Sequence, residues 1–598
     1  MHFCDARVHR HWLAAAFACI AAFSVGVAGG QESYPLHPDS IEQADVPRGK
    51  VTTYQFDRSE VYPGTEREYF VYVPAQYKPD EPAALMVFQD GRNYVRENGQ
   101  WRIPTVFDNL IHRGEMPVTI AVCINPGVVP GGENAQDRFN RSYEYDSVSD
   151  RYATFLIDEL LAEVRESYSI TDDPNLRAIG GSSSGAIAAW GVAWHRPDQF
   201  RRVFSTVGTF VGLRGGNEYP TLIRKTEPKP IRVFLQDGRN DLDIYGGSWW
   251  NANLTMLSAL QWAGYSVDHA WGDGGHNGEH GGAILPDAMR WLWQDHDQPI
   301  TTSITEHPEL KDRLIDGAPW ELVSDGHKYT EGPAVAPDGS VYFVDGPRGE
   351  IWKVDEPNSQ KHQAEGKKIG ATKFIDDMPG VSALMFDAKG RMYCARNKAQ
   401  TITRVDPDGT RTDLVTGMSC NDLVVLDHGI YFSGSDDKTI WYLPHGGELT
   451  KAGTGPEKPN GIIVTPDKRF LLVIDAMGRY VWSYRIGQDG DLQHGQPYYY
   501  VHQPQDELNT GADGCTMTTD GSLLVASKLG VQIFDQPGRV HVITSRPKRT
   551  GRLSNLVFAG PDFTTLYATS GTSVYRRETK MSGIAPWQDA VTPPKPRL

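Results

Sequence analysis

One short turn recurs along the C-terminal half of the chain, and its period limits what that half can fold into. It reads Pro337-Asp338-Gly339, Asp387-Ala388-Lys389-Gly390, Asp427-His428-Gly429, Pro466-Asp467-Lys468, Asp520-Gly521 and Pro561-Asp562-Phe563. The six aspartates stand 49, 40, 40, 53 and 42 residues apart. After most of them comes a short β-branched or aromatic run: Ile351–Val354, Ile402–Val405, Ile440–Leu443 and Val481–Tyr484. From about Ala318 onward no long amphipathic helix interrupts the pattern. A four-stranded antiparallel blade takes roughly 40–50 residues, and such blades bury their faces by stacking around an axis. Residues 315–585 are therefore predicted to form an all-β six-bladed β-propeller. A pair of β-sandwiches is the competing arrangement, and six near-regular units favour the ring.

The N-terminal half has a different texture. Apolar strand-like runs at Arg67–Pro74, Ala84–Gln89, Val118–Asn125, Leu176–Gly180 and Ile231–Gln236 alternate with helical patterns at Asp150–Tyr168, Ala186–Ala193 and Asn251–Ala263. Such alternation predicts a parallel sheet covered by helices, an α/β domain over residues 50–300. Before it, Arg7 and Arg10 precede an apolar run from Trp12 to Ala28 that closes on small residues. That is the pattern of a signal peptide over residues 1–30, followed by a polar linker over 31–49. The expected location is outside the cytoplasm, periplasmic or secreted, with no membrane span after signal cleavage. An uncleaved anchor is the competing reading.

Net charge is −16 with acidic residues spread along the chain, so no basic stripe for nucleic acid is expected. Six cysteines occur, of which Cys4 and Cys19 fall in the leader. Cys123 and Cys394 lie in apolar runs and read as buried thiols. Cys420 and Cys515 could form a disulfide in an exported protein. No zinc spacing is present.

The chemistry of the first half centres on Gly181-Ser182-Ser183-Ser184-Gly185. Gly-x-Ser-x-Gly between an apolar strand and a small-residue helix fits a nucleophile elbow, with small neighbours allowing the sharp turn that raises the hydroxyl. Ser183 is the candidate nucleophile. The acid should follow at a strand end, among Asp237, Asp241 and Asp243, with Asp241 favoured. The base should come next, and His276 follows two glycines, with His280 as its rival. The oxyanion donors expected are the backbone N–H of Ser184 and one from the early loop Gln89-Asp90-Gly91, assigned to Gly91.

These residues, with Phe70-Val71-Tyr72-Val73-Pro74, Pro197-Asp198-Gln199-Phe200 and Gly274-Gly275-His276, resemble the esterase D and enterochelin-esterase-like α/β-hydrolases. The resemblance covers about residues 50–297. It implies an α/β hydrolase fold, cleavage of carboxylic esters without a cofactor, and Ser183, Asp241 and His276 as nucleophile, acid and base. The early loop departs from the His-Gly that many members carry.

In the second half, Glu331, Asn421, Asn460 and Asp513 precede turn aspartates by 7, 6, 7 and 7 residues, so they occupy matching places in four blades. Ordinary turn formers would also fill such places. The stretches Glu331-Gly332-Pro333-Ala334-Val335, Asn421-Asp422-Leu423, Lys458-Pro459-Asn460-Gly461-Ile462, Asp513-Gly514 and Ser554-Asn555-Leu556-Val557-Phe558 resemble the gluconolactonase and senescence-marker-protein family over about residues 315–580. That resemblance implies a divalent metal, with calcium favoured, held by Glu331, Asn460 and Asp513. It also implies Asp513 as base and Asn421 facing metal or substrate. Tyr431-Phe432-Ser433-Gly434-Ser435 departs from the Tyr-Phe-Thr-Asp-Pro of many bacterial members, which alters the pocket wall.

The combined expectation is an exported two-domain hydrolase of esters and sugar lactones or glycan esters, acting in carbohydrate metabolism. The alternative is a serine esterase whose propeller is a non-catalytic module that binds a glycan or a partner. Oligomeric state is not legible.

Overall fold

The computed structural model describes residues 33–355 and 369–596. The expected leader, with Cys4 and Cys19, lies outside the described residues.

Eight strands build the main sheet of the first half: β1 (Lys50–Phe56), β2 (Arg67–Val73), β3 (Ala84–Gln89), β4 (Thr119–Ile124), β5 (Arg177–Ser182), β6 (Arg202–Thr206), β7 (Arg232–Gly238) and β8 (Ser266–Gly272). Their order in the sheet is β1-β2-β4-β3-β5-β6-β7-β8. The pairs β1/β2 and β2/β4 are antiparallel, and every other neighbouring pair is parallel. β3 and β4 are buried at every position, as strands covered on both faces must be, which is why they read as unbroken apolar runs. Helix Ser184–His195 connects β5 to β6, and Trp249–Trp262 connects β7 to β8. The expected helix after Asp150 runs from Arg151 to Ser167, with a widened turn over Phe155–Leu160. Residues 34–48, expected as a linker, are irregular but anchored. Asp39 pairs with Arg113 at 2.8 Å and with Arg290, and its carbonyl accepts from Asn109 Nδ2 at 2.9 Å.

The second half is a ring of six antiparallel sheets. Blade 1 takes its strands from residues 330–354 and 371–375, blades 2 to 4 span 383–416, 423–454 and 459–500, blade 5 spans 515–544, and blade 6 contributes 553–578. Each recurring aspartate sits between the first and second strands of its blade. Asp338, Asp387, Asp467 and Asp520 accept backbone N–H groups two to four residues ahead at 2.9–3.1 Å, so in these blades one hairpin recurs through side-chain-to-backbone bonding. Blade 6 takes its outer strand, Glu321–Ser324, from the segment before blade 1, pairing with Ser573–Glu578. The tail strand Gly583–Ile584 then pairs with the far end of blade 5's inner strand, and Trp587 Nε1 donates to the Val335 carbonyl at 3.0 Å.

The two halves pack directly. Glu227 accepts two bonds from Arg577 of blade 6, at 2.6 and 3.0 Å, and the Ser545 amide at 3.2 Å. Thr226 bridges Ile543, and one apolar cluster contains Leu222 and Ile223 of the first half with Tyr499 and Ile543 of the second. The Arg577 side chain is 4% exposed. Removing one member of a buried pair strands the other's charge, so Arg577→Ala is expected to destabilise the protein by about 3–5 kcal/mol. Urea denaturation checks this, and a loss of well under 1 kcal/mol would show the pair to be idle.

Cys123, Cys394, Cys420 and Cys515 are buried free thiols, so the Cys420–Cys515 disulfide is not formed. Among the described residues no helix is long and apolar enough to cross a membrane.

Candidate active sites

Ser183 stands between β5 and helix Ser184–His195 with φ 60° and ψ −122°, a conformation that ordinary L-residues avoid. Close packing enforces the turn, since a Cβ on Gly181 would lie 2.4 Å from the Gly185 carbonyl group. The Ser183 hydroxyl lies 2.8 Å from His276 Nε2, and His276 Nδ1 lies 2.6 Å from Asp241 Oδ1. β7 delivers Asp241, and the loop after β8 delivers His276. The structure thus brings together the three residues expected to act in this half. Its other candidate histidine, His280, is buried in helix Glu279–Trp293, stacked on Tyr34 at 4.2 Å and 3.1 Å from Gln236 Nε2, which removes it from the nucleophile.

Ser184 opens its helix, so its N–H is among those without an intrahelical acceptor. Gly91 is a correction. Its N–H donates to the Ile124 carbonyl at 2.9 Å, a bond that ties the early loop to β4 and leaves no donor for an oxyanion. The neighbouring Asp90 N–H makes only a 3.4 Å contact with the Tyr145 hydroxyl. Asp90 also lines the cleft of about 650 Å³ that holds Ser183 and His276, and Arg141 grips its carboxylate at 2.8 Å through two nitrogens. Asp90 replaces Gly91 as the candidate second donor.

Two supports, Trp249 and Thr209, were not read from the sequence, and a third, Asp237, was read only as a rival for the acid. Trp249 Nε1 donates to Thr209 Oγ1 at 3.1 Å, which orients the Thr209 hydroxyl 3.2 Å from Ser183 Oγ. Behind the triad, Asp237 accepts the Gly238 N–H at 2.6 Å and Asn253 Nδ2 at 2.8 Å. Asp241 Oδ2 is buried and receives no N–H, and the Asp237 carboxyl lies beside it. Burial, then the shared hydrogen bond and charge of Asp241, push Asp237 up to about 9, which keeps this carboxyl protonated at neutral pH. An unfolded Asp titrates near 3.9. This raised group therefore contributes stability that is complete below about pH 4 and is lost as pH rises through about 9, with a slope of at most about 1.4 kcal/mol per pH unit. Asp237→Asn, neutral at every pH, is expected to flatten the fall in stability between pH 5 and pH 8. Unfolding curves at the two pH values read this, and an unchanged slope would refute it.

In the propeller, Glu331, Asn460 and Asp513 lie at the mouth ends of the inner strands, opposite the tail strand. Asp513 accepts Asn460 Nδ2 at 2.7 Å and pairs with Arg552 Nε at 2.8 Å. Burial raises Glu331 well above its usual range, with the Asp513 charge next in importance. Asp422, the residue after the expected Asn421, is a third carboxyl of this cluster. Burial pushes it up to about 7 against the pull of the Leu423 amide, with Asp513 adding to the rise. The Asn421 backbone is fixed by Ser433 and Ser382, but the geometry ties its side chain to none of the carboxyls. Among the described residues no three His, Cys, Asp or Glu side chains form a ready metal-binding group. The donors that do converge are all oxygens, the type a hard divalent ion selects, and Arg552 is the cation that already occupies Asp513.

Residues 330–572 match the family model SMP-30/Gluconolactonase/LRE-like region, and residues 60–296 match the Esterase model. The chain pairs an esterase-like half with a gluconolactonase-like half. A gluconolactonase of Zymomonas mobilis is 24% identical over 319 residues, 47% of this chain and 87% of that protein. An iron(III) enterobactin esterase of Dickeya dadantii is 29% identical over 150 residues, 23% of this chain and 33% of its own length. The Escherichia coli K12 enzyme of that name is 25% identical over 220 residues, 36% and 50% of the two chains. The chain thus spans a third to a half of the enterobactin esterases it matches. Among solved structures, a gluconolactonase of Xanthomonas campestris is 22% identical, covering 46% of this chain and 93% of its own, with a TM-score of 0.39. The enterobactin esterase of Shigella flexneri is 20% identical, covering 44% and 63%, with a TM-score of 0.34.

Proposed function

We propose that the protein is an exported hydrolase with two independent sites, a serine esterase and a sugar-lactone hydrolase, serving carbohydrate breakdown outside the cytoplasm. The observation that carries the esterase reading is the continuous hydrogen-bond chain from Ser183 through His276 to Asp241. Ser183 Oγ attacks the ester carbonyl while His276 Nε2 takes its proton. Asp241 holds the imidazole in the required tautomer and stabilises the imidazolium. The Ser184 and Asp90 amides meet the oxyanion, and His276 returns the proton to the departing alcohol. Water repeats the sequence to release the acid. Export rests on the leader pattern of the sequence.

For the propeller, Glu331 and Asp513 with the Asn460 side-chain carbonyl would hold a hard divalent ion, calcium by preference. Bound there, the ion would polarise the lactone carbonyl. Asp513 serves as the base for the attacking water, and Asn421 and Asp422 line the approach. Arg552 on Asp513 favours a second reading, in which the propeller binds a glycan or partner without turnover, since the carboxylate already has its counter-charge.

Parallel assays of p-nitrophenyl acetate and a panel of sugar lactones, with and without EDTA, separate these readings. Ester cleavage should ignore EDTA and lactone opening should vanish. If no lactone opens with any metal, the propeller is a binding module.

A further inference from the structure

The mouth of the propeller holds a cavity of about 520 Å³, large enough for a sugar acid, and its charge runs against that of the chain. The protein carries a net −16, yet Lys458, Lys528, Arg546 and Arg552 line this cavity against a single acid, Glu507. Two of the four are matched. Lys528 Nζ pairs with Glu507 at 2.6 Å, and Arg552 Nε pairs with Asp513 at 2.8 Å. Among the described residues the other two show no ion pair within the cavity. Arg546 donates to the Gly551 carbonyl and keeps a buried Nε without an acceptor. Asp150, whose charge acts on Arg546, is paired with Arg549 at 3.4 Å. Lys458 is exposed in the cavity wall, two residues before Asn460.

We infer that this cavity takes an anionic sugar lactone, one carrying a carboxylate or phosphate at the end remote from the lactone ring. The inference rests on the lactonase reading and sharpens it. With the lactone carbonyl at Glu331 and Asp513, the body of the substrate extends past Arg552 into the cavity. Its far end then meets Lys458 and Arg546. The Arg546 guanidinium and the Lys458 ammonium, whose charge already bears on Asp513, satisfy the oxygens of a carboxylate or phosphate, and a neutral hydroxymethyl group offers them no counter-charge. The acidic remainder of the protein repels such a substrate at long range, so the attraction is local to the mouth.

The test compares kcat/KM for neutral glucono-lactone, for glucaro-lactone (carboxylate) and for 6-phosphoglucono-lactone (phosphate) in the intact protein. At least one anionic lactone is expected to exceed the neutral one by about tenfold, and added salt should erode the advantage. Which of the two exceeds it identifies the anion. Lys458→Gln, on an exposed side chain, and Arg546→Gln should each shrink the ratio of anionic to neutral turnover. A neutral lactone turned over as well as both anionic ones, or a ratio unmoved by both substitutions, overturns the inference. If no lactone is opened at all, the lactonase reading fails separately, and calorimetric binding of glucarate decides this one. Glucarate binding weakened by Lys458→Gln supports an anion site, and absent binding defeats it.

Discussion

Replacing Ser183 by alanine is expected to lower kcat for p-nitrophenyl acetate by about four to six orders of magnitude while lactone opening stays at its original rate. The size follows from the role. The nucleophile, base and acid act as one unit, so losing the hydroxyl forfeits the work of His276 and Asp241 together. What remains is the binding and the oxyanion donors at Ser184 and Asp90. The independence follows from the geometry, because no residue of the Ser183–His276–Asp241 chain takes part in the propeller cluster. A companion substitution separates chemistry from folding. At φ 60° and ψ −122° a side chain costs about 1–3 kcal/mol, so Ser183→Gly should be equally inactive yet more stable than the parent. Retained esterase activity in Ser183→Ala would remove this serine from the mechanism.

The second large effect is expected in the other half. Asp513→Asn should reduce lactone opening by about a thousandfold and leave ester cleavage intact. Asp513 is the point where the cluster's interactions meet, bonded to Asn460 and Arg552 and electrostatically coupled to Glu331 and Asp422. An asparagine can keep a hydrogen bond with Asn460 but lacks the charge that would hold a cation and the basicity to take a proton from water. Glu331→Gln should reproduce the loss. If both variants open lactones at the parental rate, the cluster is a structural feature of the channel.

Much of this architecture was legible because it is written in local chemistry. The Asp turns announced six hairpins, and in four of them the aspartate makes its bond within a few residues of itself. β3 and β4 were legible as apolar runs because both faces are covered. Helix Glu279–Trp293 was not, since Gly281, Gly282 and Pro286 disguise it. Those glycines answer to tertiary packing: a Cβ on Gly282 would lie 2.3 Å from the Gln100 carbonyl oxygen, and one on Gly281 would lie 2.6 Å from the Trp101 ring. The site followed the same division. Ser183, Asp241 and His276 sit at predictable strand ends. Gly91 was misassigned because the partner that claims its N–H, Ile124, is far along the chain. Asp237 was legible only as a rival for the acid, because its shared hydrogen bond with Asp241 depends on burial that the sequence does not show. Arg552 and Asp422 escaped because each is defined by the distant carboxylate of Asp513, and neither spacing nor composition encodes that meeting.

The closure of blade 6 has a bearing on how the chain comes off the ribosome. The eight-stranded sheet has all its strands once Gly272 has emerged, and the core helix Glu279–Trp293 follows directly. Strand Glu321–Ser324 leaves next, but its partner Ser573–Glu578 emerges only after the strands of blades 1 to 5. Throughout the synthesis of five blades the ring is therefore a growing arc with two exposed edges, the form most open to mispairing with other chains. A nascent chain cut short before Ser573 would carry an unsealed, aggregation-prone arc, so the sealing of the ring waits on one late strand however well the preceding blades have formed.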